Sequence, residues 1–112
     1  MGPEKSELIK GTLDMMVLQV LSTIGPMHGW GIARRIEQVS DNLLSLNQGT
    51  LYPALVRLEQ RGFIASAWGV SANNRRARFY TITKKGEKQV KVEQEQWERM
   101  KGIISRLLQV TE

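Results

Sequence analysis

Residues 47–86 read NQGTLYPALVRLEQRGFIASAWGVSANNRRARFYTITKKG. Leu51, Leu55 and Leu58 recur at helical spacing and give one apolar face, while Thr50, Pro53, Arg57 and Gln60 fall on the other. Asn47 is a suitable N-cap, and Ser45 followed by Gln48 offers a competing capping box. Pro53 removes an amide donor and crowds the turn before it. The cap and the apolar spacing still favour the earlier start, with a distorted first turn. Gly62 suits a helix C-terminus. From Phe63 to Val70 the pattern turns strand-like, with Ile64 and Trp68 on one face and Ala65 and Ala67 on the other. Ser71-Ala72-Asn73-Asn74 is turn material. The return strand over Arg76–Thr83 puts Arg78, Tyr80 and Ile82 on one face, with Tyr80 and Ile82 expected in the core.

A helix delivered straight into a basic β-hairpin is the core of a winged helix-turn-helix, so the expected fold is mainly α with a small β-hairpin. Upstream, the spacing predicts a scaffold helix from about Thr12, with Leu13, Met16, Val17, Val20, Leu21 and Ile24 on a wide apolar face. Met15 and Leu18 lie on other faces, so this helix is expected to be covered on more than one side. Gly25-Pro26 ends it. A second helix follows over His28–Val39 with Ile32, Ala33, Ile36 and Val39 inward. His28, the sole histidine, lacks catalytic or metal-ligand partners and is read as a capping or structural residue. Gly29 and Gly31 around Trp30 lack the rest of a phosphate-loop pattern. Leu43–Leu46 is read as a minor strand against the wing.

Downstream, Thr83 is expected to cap a long helix from Lys84. Val90, Trp97 and Ile104 are seven residues apart, as are Met100 and Leu107, with Ile103 and Leu108 widening the seam. A stripe of this kind calls for a second copy of the chain. The expected division is a DNA-binding winged helix-turn-helix over 1–83 and a long C-terminal dimerisation helix over 84–112, with Val90, Trp97, Met100, Ile104, Leu107 and Leu108 at the dimer seam.

Composition narrows the function. The 112 residues suit one domain, with 41% hydrophobic and 24% charged residues, values ordinary for a globular protein. There is no cysteine, which excludes disulfides and thiolate metal sites. No apolar run approaches the ~20 residues of a membrane span, and the first residues lack the order of a signal peptide; a cytoplasmic protein is expected. The net charge of +5 is concentrated: Arg57–Lys91 carries nine basic residues against Glu59 and Glu87. Such a cluster on one unit is the footprint of a polyanion partner.

The residues expected at DNA are Asn47, Gln48, Thr50, Tyr52, Arg57 and Arg61 on the third helix, with Arg75, Arg76 and Arg78 on the wing. Amides and guanidinium groups can read base edges, while hydroxyls and lysines mostly fix phosphates, and the wing arginines would reach the backbone or the adjacent minor groove. The function expected is a sequence-specific regulator of transcription, a homodimer on an operator in double-stranded DNA. The alternative is a winged helix that binds nucleic acid without specificity or meets an acidic protein. Convergent groups for catalysis are not found, so neither an enzyme nor a cofactor or metal site is expected.

Several strings carry a resemblance: Gly11-Thr12-Leu13-Asp14; Gly25-Pro26-Met27-His28-Gly29-Trp30-Gly31-Ile32; Gly49-Thr50-Leu51-Tyr52-Pro53-Ala54-Leu55; Leu58-Glu59; Arg61-Gly62-Phe63-Ile64; Arg75-Arg76-Ala77-Arg78-Phe79-Tyr80-Thr81-Ile82-Thr83; and Gly86. From about Lys10 to Leu108 the chain resembles the PadR family of bacterial transcriptional regulators. Trp30 stands where that family often has tyrosine, and Gln48 where it often has proline. The resemblance implies a winged helix with a terminal dimerisation helix and a dimeric repressor relieved by an effector. Thr50, Tyr52 and their neighbours would then meet DNA, with the wing arginines flanking the site. Some small relatives bind flat, apolar compounds against a tryptophan of the terminal helix. Trp97 lies at a comparable place, so it reads either as seam packing or as the platform for a small apolar or aromatic effector.

Overall fold

The computed structural model describes residues 3–109. Helix α1 spans Pro3–Ile24, strand β1 Met27–His28, α2 Gly29–Val39, α3 Gln48–Gln60, β2 Ile64–Val70, β3 Arg76–Ile82 and α4 Lys84–Gln109. The strands form one antiparallel sheet in the order β1-β3-β2. Three helices, a hairpin and a long terminal helix make the expected mainly α winged helix-turn-helix.

Helix α1 begins at Pro3 instead of near Thr12. Proline is well suited to the first helical position, where no intrahelical amide is needed. Gly11 and Thr12 suggest a boundary in the sequence, yet α1 runs through them at a propensity cost of about 1 kcal/mol for the glycine. Leu13, Val17, Leu18 and Leu21 of α1 are all buried, on more than one side of the helix as expected. Around them close Ile32 and Ile36 of α2, Leu51, Ala54, Leu55 and Leu58 of α3, and Ile64 and Tyr80 of the hairpin. Truncating one such leucine to alanine typically costs about 2–5 kcal/mol.

The ends of the helices carry the chain from element to element. His28 caps α2, its Nδ1 accepting the Gly31 amide at 3.1 Å. Asn47 caps α3, its Oδ1 accepting the Thr50 amide at 2.9 Å, so Asn47 prevails over the competing Ser45 box. Pro53 sits inside α3, the sixth residue of the helix. At the other end Gly62 takes φ +81°, with Phe63 N–H donating to the Leu58 carbonyl and Gly62 N–H to that of Glu59. This paired arrangement satisfies the last carbonyls and turns the chain into β2. Thr83 starts α4 by accepting the Gly86 amide at 3.0 Å, while its own hydroxyl donates to the Gly62 carbonyl at 2.7 Å.

The third strand is not where the sequence suggests. Leu43–Leu46 forms a loop, and Met27–His28 takes the sheet edge, pairing with Tyr80 and Phe79. In that loop the Leu46 amide donates to Glu37 Oε2 at 3.0 Å and the Leu44 amide to Ser40 Oγ at 3.1 Å. Side chains of α2 therefore satisfy this backbone, and Leu46 plugs the core.

Helix α4 leaves the domain after making fast to it. A Cβ on Gly86 would collide with the Phe63 carbonyl oxygen and lie 2.7 Å from Ile82 Cγ1, so only glycine allows this approach. Ser22 donates to Glu87 Oε1 at 2.8 Å and Gln94 to Gln19 Oε1 at 2.7 Å, fixing α4 beside α1. The rest of its 26 residues extends outward, giving extents of 58 × 33 × 22 Å and a radius of gyration of 15.7 Å. A compact chain of this size would measure ~13 Å.

Candidate nucleic-acid interface

One side of α3 and the hairpin face each other across a groove of about 480 Å³. Gln48, Tyr52 and Glu59 line it from α3, Trp68 and Arg78 from the hairpin, and His28 and Trp30 from the start of α2. Tyr52 is 55% exposed, and Asn47 and Gln48 are exposed beside it. Thr50 is half-buried behind the cap.

The hairpin is tied to α3 through a polar relay. Arg78 Nε donates to Ser66 Oγ at 2.9 Å, and the Ser66 hydroxyl donates to Glu59 Oε2 at 2.7 Å. The wing is thereby held at one angle to α3. The register, Trp68 opposite Arg78 and Val70 opposite Arg76, puts Trp68, Arg76 and Arg78 on one face of the hairpin. The Arg76 guanidinium lies 4.8 Å and that of Arg78 5.2 Å from the Trp68 ring centroid. Arg75 is exposed at the turn, where its carbonyl accepts the Ser71 amide at 2.8 Å. At the start of α2 His28 stacks on Trp30 at 4.2 Å and meets Phe79 edge-on at 5.5 Å.

Tyr80 lines the back of the groove, buried as expected. Burial pushes its hydroxyl pKa up from the ordinary value, Tyr52 and Glu59 add to that, and Arg78 opposes it. It is therefore a neutral hydroxyl at physiological pH.

Two basic residues of α3 turn elsewhere. Arg57 faces α1, its Nη2 2.8 Å from Asp14 Oδ1 and its Nε 3.5 Å from Asp14 Oδ2. Arg61 lies at the C-terminal end of α3, its guanidinium 5.1 Å from the Phe63 ring, with Lys85 Nζ on its carbonyl at 2.8 Å. Gln48, Tyr52 and Arg78 therefore share the groove, Asn47, Thr50, Arg75 and Arg76 border it in sequence, and Arg57 is engaged in the scaffold. Trp68, Ser66 and Glu59 were not singled out from sequence. The signal was the hairpin alternation, which sets Trp68 opposite Arg78 once the five-residue turn fixes the register.

Beyond the domain, α4 exposes Trp97, Met100, Ile103, Ile104, Leu107 and Leu108, each between 46% and 69% accessible. Val90, which the heptad spacing assigns to the seam, is 6% exposed and lies in the core of its own domain. The exposed stripe therefore starts at Trp97 after the core-facing first turns. Trp97 also borders an apolar groove of about 460 Å³, walled by Met15, Met16 and Val20 of α1 and Val39 of α2.

Comparison with known proteins agrees with this architecture. The family model described as the transcriptional regulator PadR-like family matches residues 17–92. The chain belongs to the PadR-like family. It is similar to a transcriptional regulator from Clostridium thermocellum, with 34% identity, a TM-score of 0.79 and coverage of 89% of this chain and 96% of that one. A PadR family regulator from Clostridium difficile matches at 26% identity and TM-score 0.74, over 88% and 99% of the two chains. A PadR-like regulator from Bacillus cereus shares the fold at 22% identity and TM-score 0.80, over 92% and 97%. As a PadR-like protein the chain is a transcriptional regulator of a DNA-binding class, not a member of an enzyme family. Among the described residues no helix is long and apolar enough to cross a membrane, and no group of three or more His, Cys, Asp or Glu could hold a metal ion.

Proposed function

We propose that this PadR-like regulator is a homodimeric, sequence-specific repressor. The observation that carries the reading is the groove in which exposed α3 side chains meet Arg78 of the wing, beside a helix that extends an apolar stripe beyond its own domain. In this reading Gln48, Thr50 and Tyr52 choose the sequence in the major groove, Asn47 holds the helix start, and Arg75, Arg76 and Arg78 bind the backbone. Phosphate contacts supply affinity and position, and base contacts supply choice.

The α4 stripe supports dimerisation, since six large apolar side chains between Trp97 and Leu108 would cover each other in a second copy. Residues 1–83 then act as the reader and 84–112 as the dimerisation segment, anchored to the reader by Gly86 and Val90. Two-fold symmetry sets two α3 helices in half-sites about 10 base pairs apart, or a multiple of that. A small flat apolar effector fits the groove bordered by Trp97. It would release DNA by binding one separation of the two readers better than the other.

Ile104→Lys tests the pairing. Sedimentation should find a folded monomer with weak DNA binding, whereas a fully active monomer would remove the dimer. Titration of aromatic drugs against Trp97 fluorescence tests the effector, and unchanged emission would remove it. A ratio of selected-site to random-duplex affinity near one at physiological salt would favour binding without specificity.

A further inference from the structure

We propose that Trp68 is a positioning residue that gathers Arg76 and Arg78 into a paired clamp for neighbouring phosphates of one DNA strand. The proposal rests on the DNA-binding reading above and divides the wing arginines by role. Trp68 is 57% exposed and takes no part in the core, so folding does not account for a residue of this size on the hairpin. Its ring has one guanidinium 4.8 Å and another 5.2 Å from its centroid. Arg75, next in sequence, has no such ring contact.

Each guanidinium near an indole is attracted by the ring quadrupole. Two cations brought to one ring also repel each other, and an anion bridging them relieves that repulsion. Arg78 is fixed further by Ser66, which leans on Glu59 of α3. The clamp is thus aimed relative to the helix that reads sequence. A DNA strand entering there meets two arginines already ordered, and their side-chain entropy is not lost at binding. Arg75 lies outside this pair.

Trp68→Ala separates ordering from charge, because every arginine is retained. Affinity for a mixed-sequence duplex and for a selected site should fall by the same factor, roughly tenfold, because the ordering of two long side chains then falls on the binding step. The slope of log K against log salt should stay at the wild-type value, because it counts phosphates neutralised. Trp68→Phe should recover most of the loss. In the free wild-type protein the Hδ protons of Arg76 and Arg78, but not of Arg75, should be shifted upfield by the ring, and Trp68→Ala should abolish this. Full affinity in Trp68→Ala, a loss confined to the selected site, or absence of the upfield shifts would overturn the clamp. Wild-type protein that binds no duplex would overturn the DNA-binding reading beneath it. The ring-current shifts, measured without DNA, distinguish that outcome from failure of the arginine pair.

Discussion

Arg57 is a basic residue of α3, and its pairing with Asp14 suits a brace of the scaffold. Its guanidinium meets the Asp14 carboxylate at two points, 2.8 and 3.5 Å, with 37% of the Arg57 side chain and 20% of the Asp14 side chain exposed. Opposite charges ~4 Å apart attract by about 4 kcal/mol at an effective dielectric near 20. Desolvation and the ordering of a long side chain offset most of this, and exposed pairs retain ~0.2–1 kcal/mol. The two-point geometry and the partial burial of Asp14 place the pair near the upper end, about 1 kcal/mol. A double-mutant cycle with Arg57→Ala and Asp14→Ala, read by urea unfolding, should give a coupling of that size. The melting temperature of either single variant should drop by ~4 °C. Salt dependence of DNA binding should be unchanged in Arg57→Ala. Zero coupling together with a slope lowered by ~0.9 per lost phosphate contact would refute the brace and return Arg57 to the DNA.

Replacing Arg75 and Arg76 by alanine should weaken binding to every duplex and lower the salt slope by ~0.9 per lost phosphate, about 3.6 if both copies of each arginine contact DNA. An unchanged slope in filter-binding titrations would take the wing out of the interface. Tyr80 predicts the alkaline limb of stability. Its pKa is raised in the folded state, so its contribution is full below the unfolded value of ~10 and is lost as pH rises through the folded value. Tyr80→Phe should therefore lose less stability between pH 9.5 and 11, by at most ~1.4 kcal/mol per pH unit, and equal urea midpoints for both proteins across that range would contradict it.

The parts legible in the sequence are those written in local chemistry. Asn47, the leucine spacing and Gly62 delimit α3 because a cap, a period and a C-terminal glycine are each short-range signals. Thr83 announces α4 for the same reason. The missed parts depend on partners distant in the chain. Two residues of β1 contain no period, and only pairing with Tyr80 and Phe79 makes Met27–His28 a strand. Leu43–Leu46 looks like a strand by composition, but Glu37 and Ser40 satisfy its amides first. Arg57 is outward on an isolated helix and is engaged only once Asp14, 43 residues earlier, is brought alongside. Val90 fits the heptad of α4 perfectly, yet the close approach at Gly86 buries it in the same domain. Trp68 meets the Arg78 guanidinium only because the hairpin register sets the two across from each other.

Selection of genomic DNA fragments by the purified protein tests most directly the proposed reading of DNA by paired grooves between α3 and the wing. The expected result is enrichment of a near-palindromic site with half-sites about 10 base pairs apart or a multiple of that. Enrichment should vanish in Thr50→Ala and Tyr52→Ala variants that unfold at the wild-type urea midpoint. Recovery of fragments without a shared motif, or an identical motif with those variants, would contradict it.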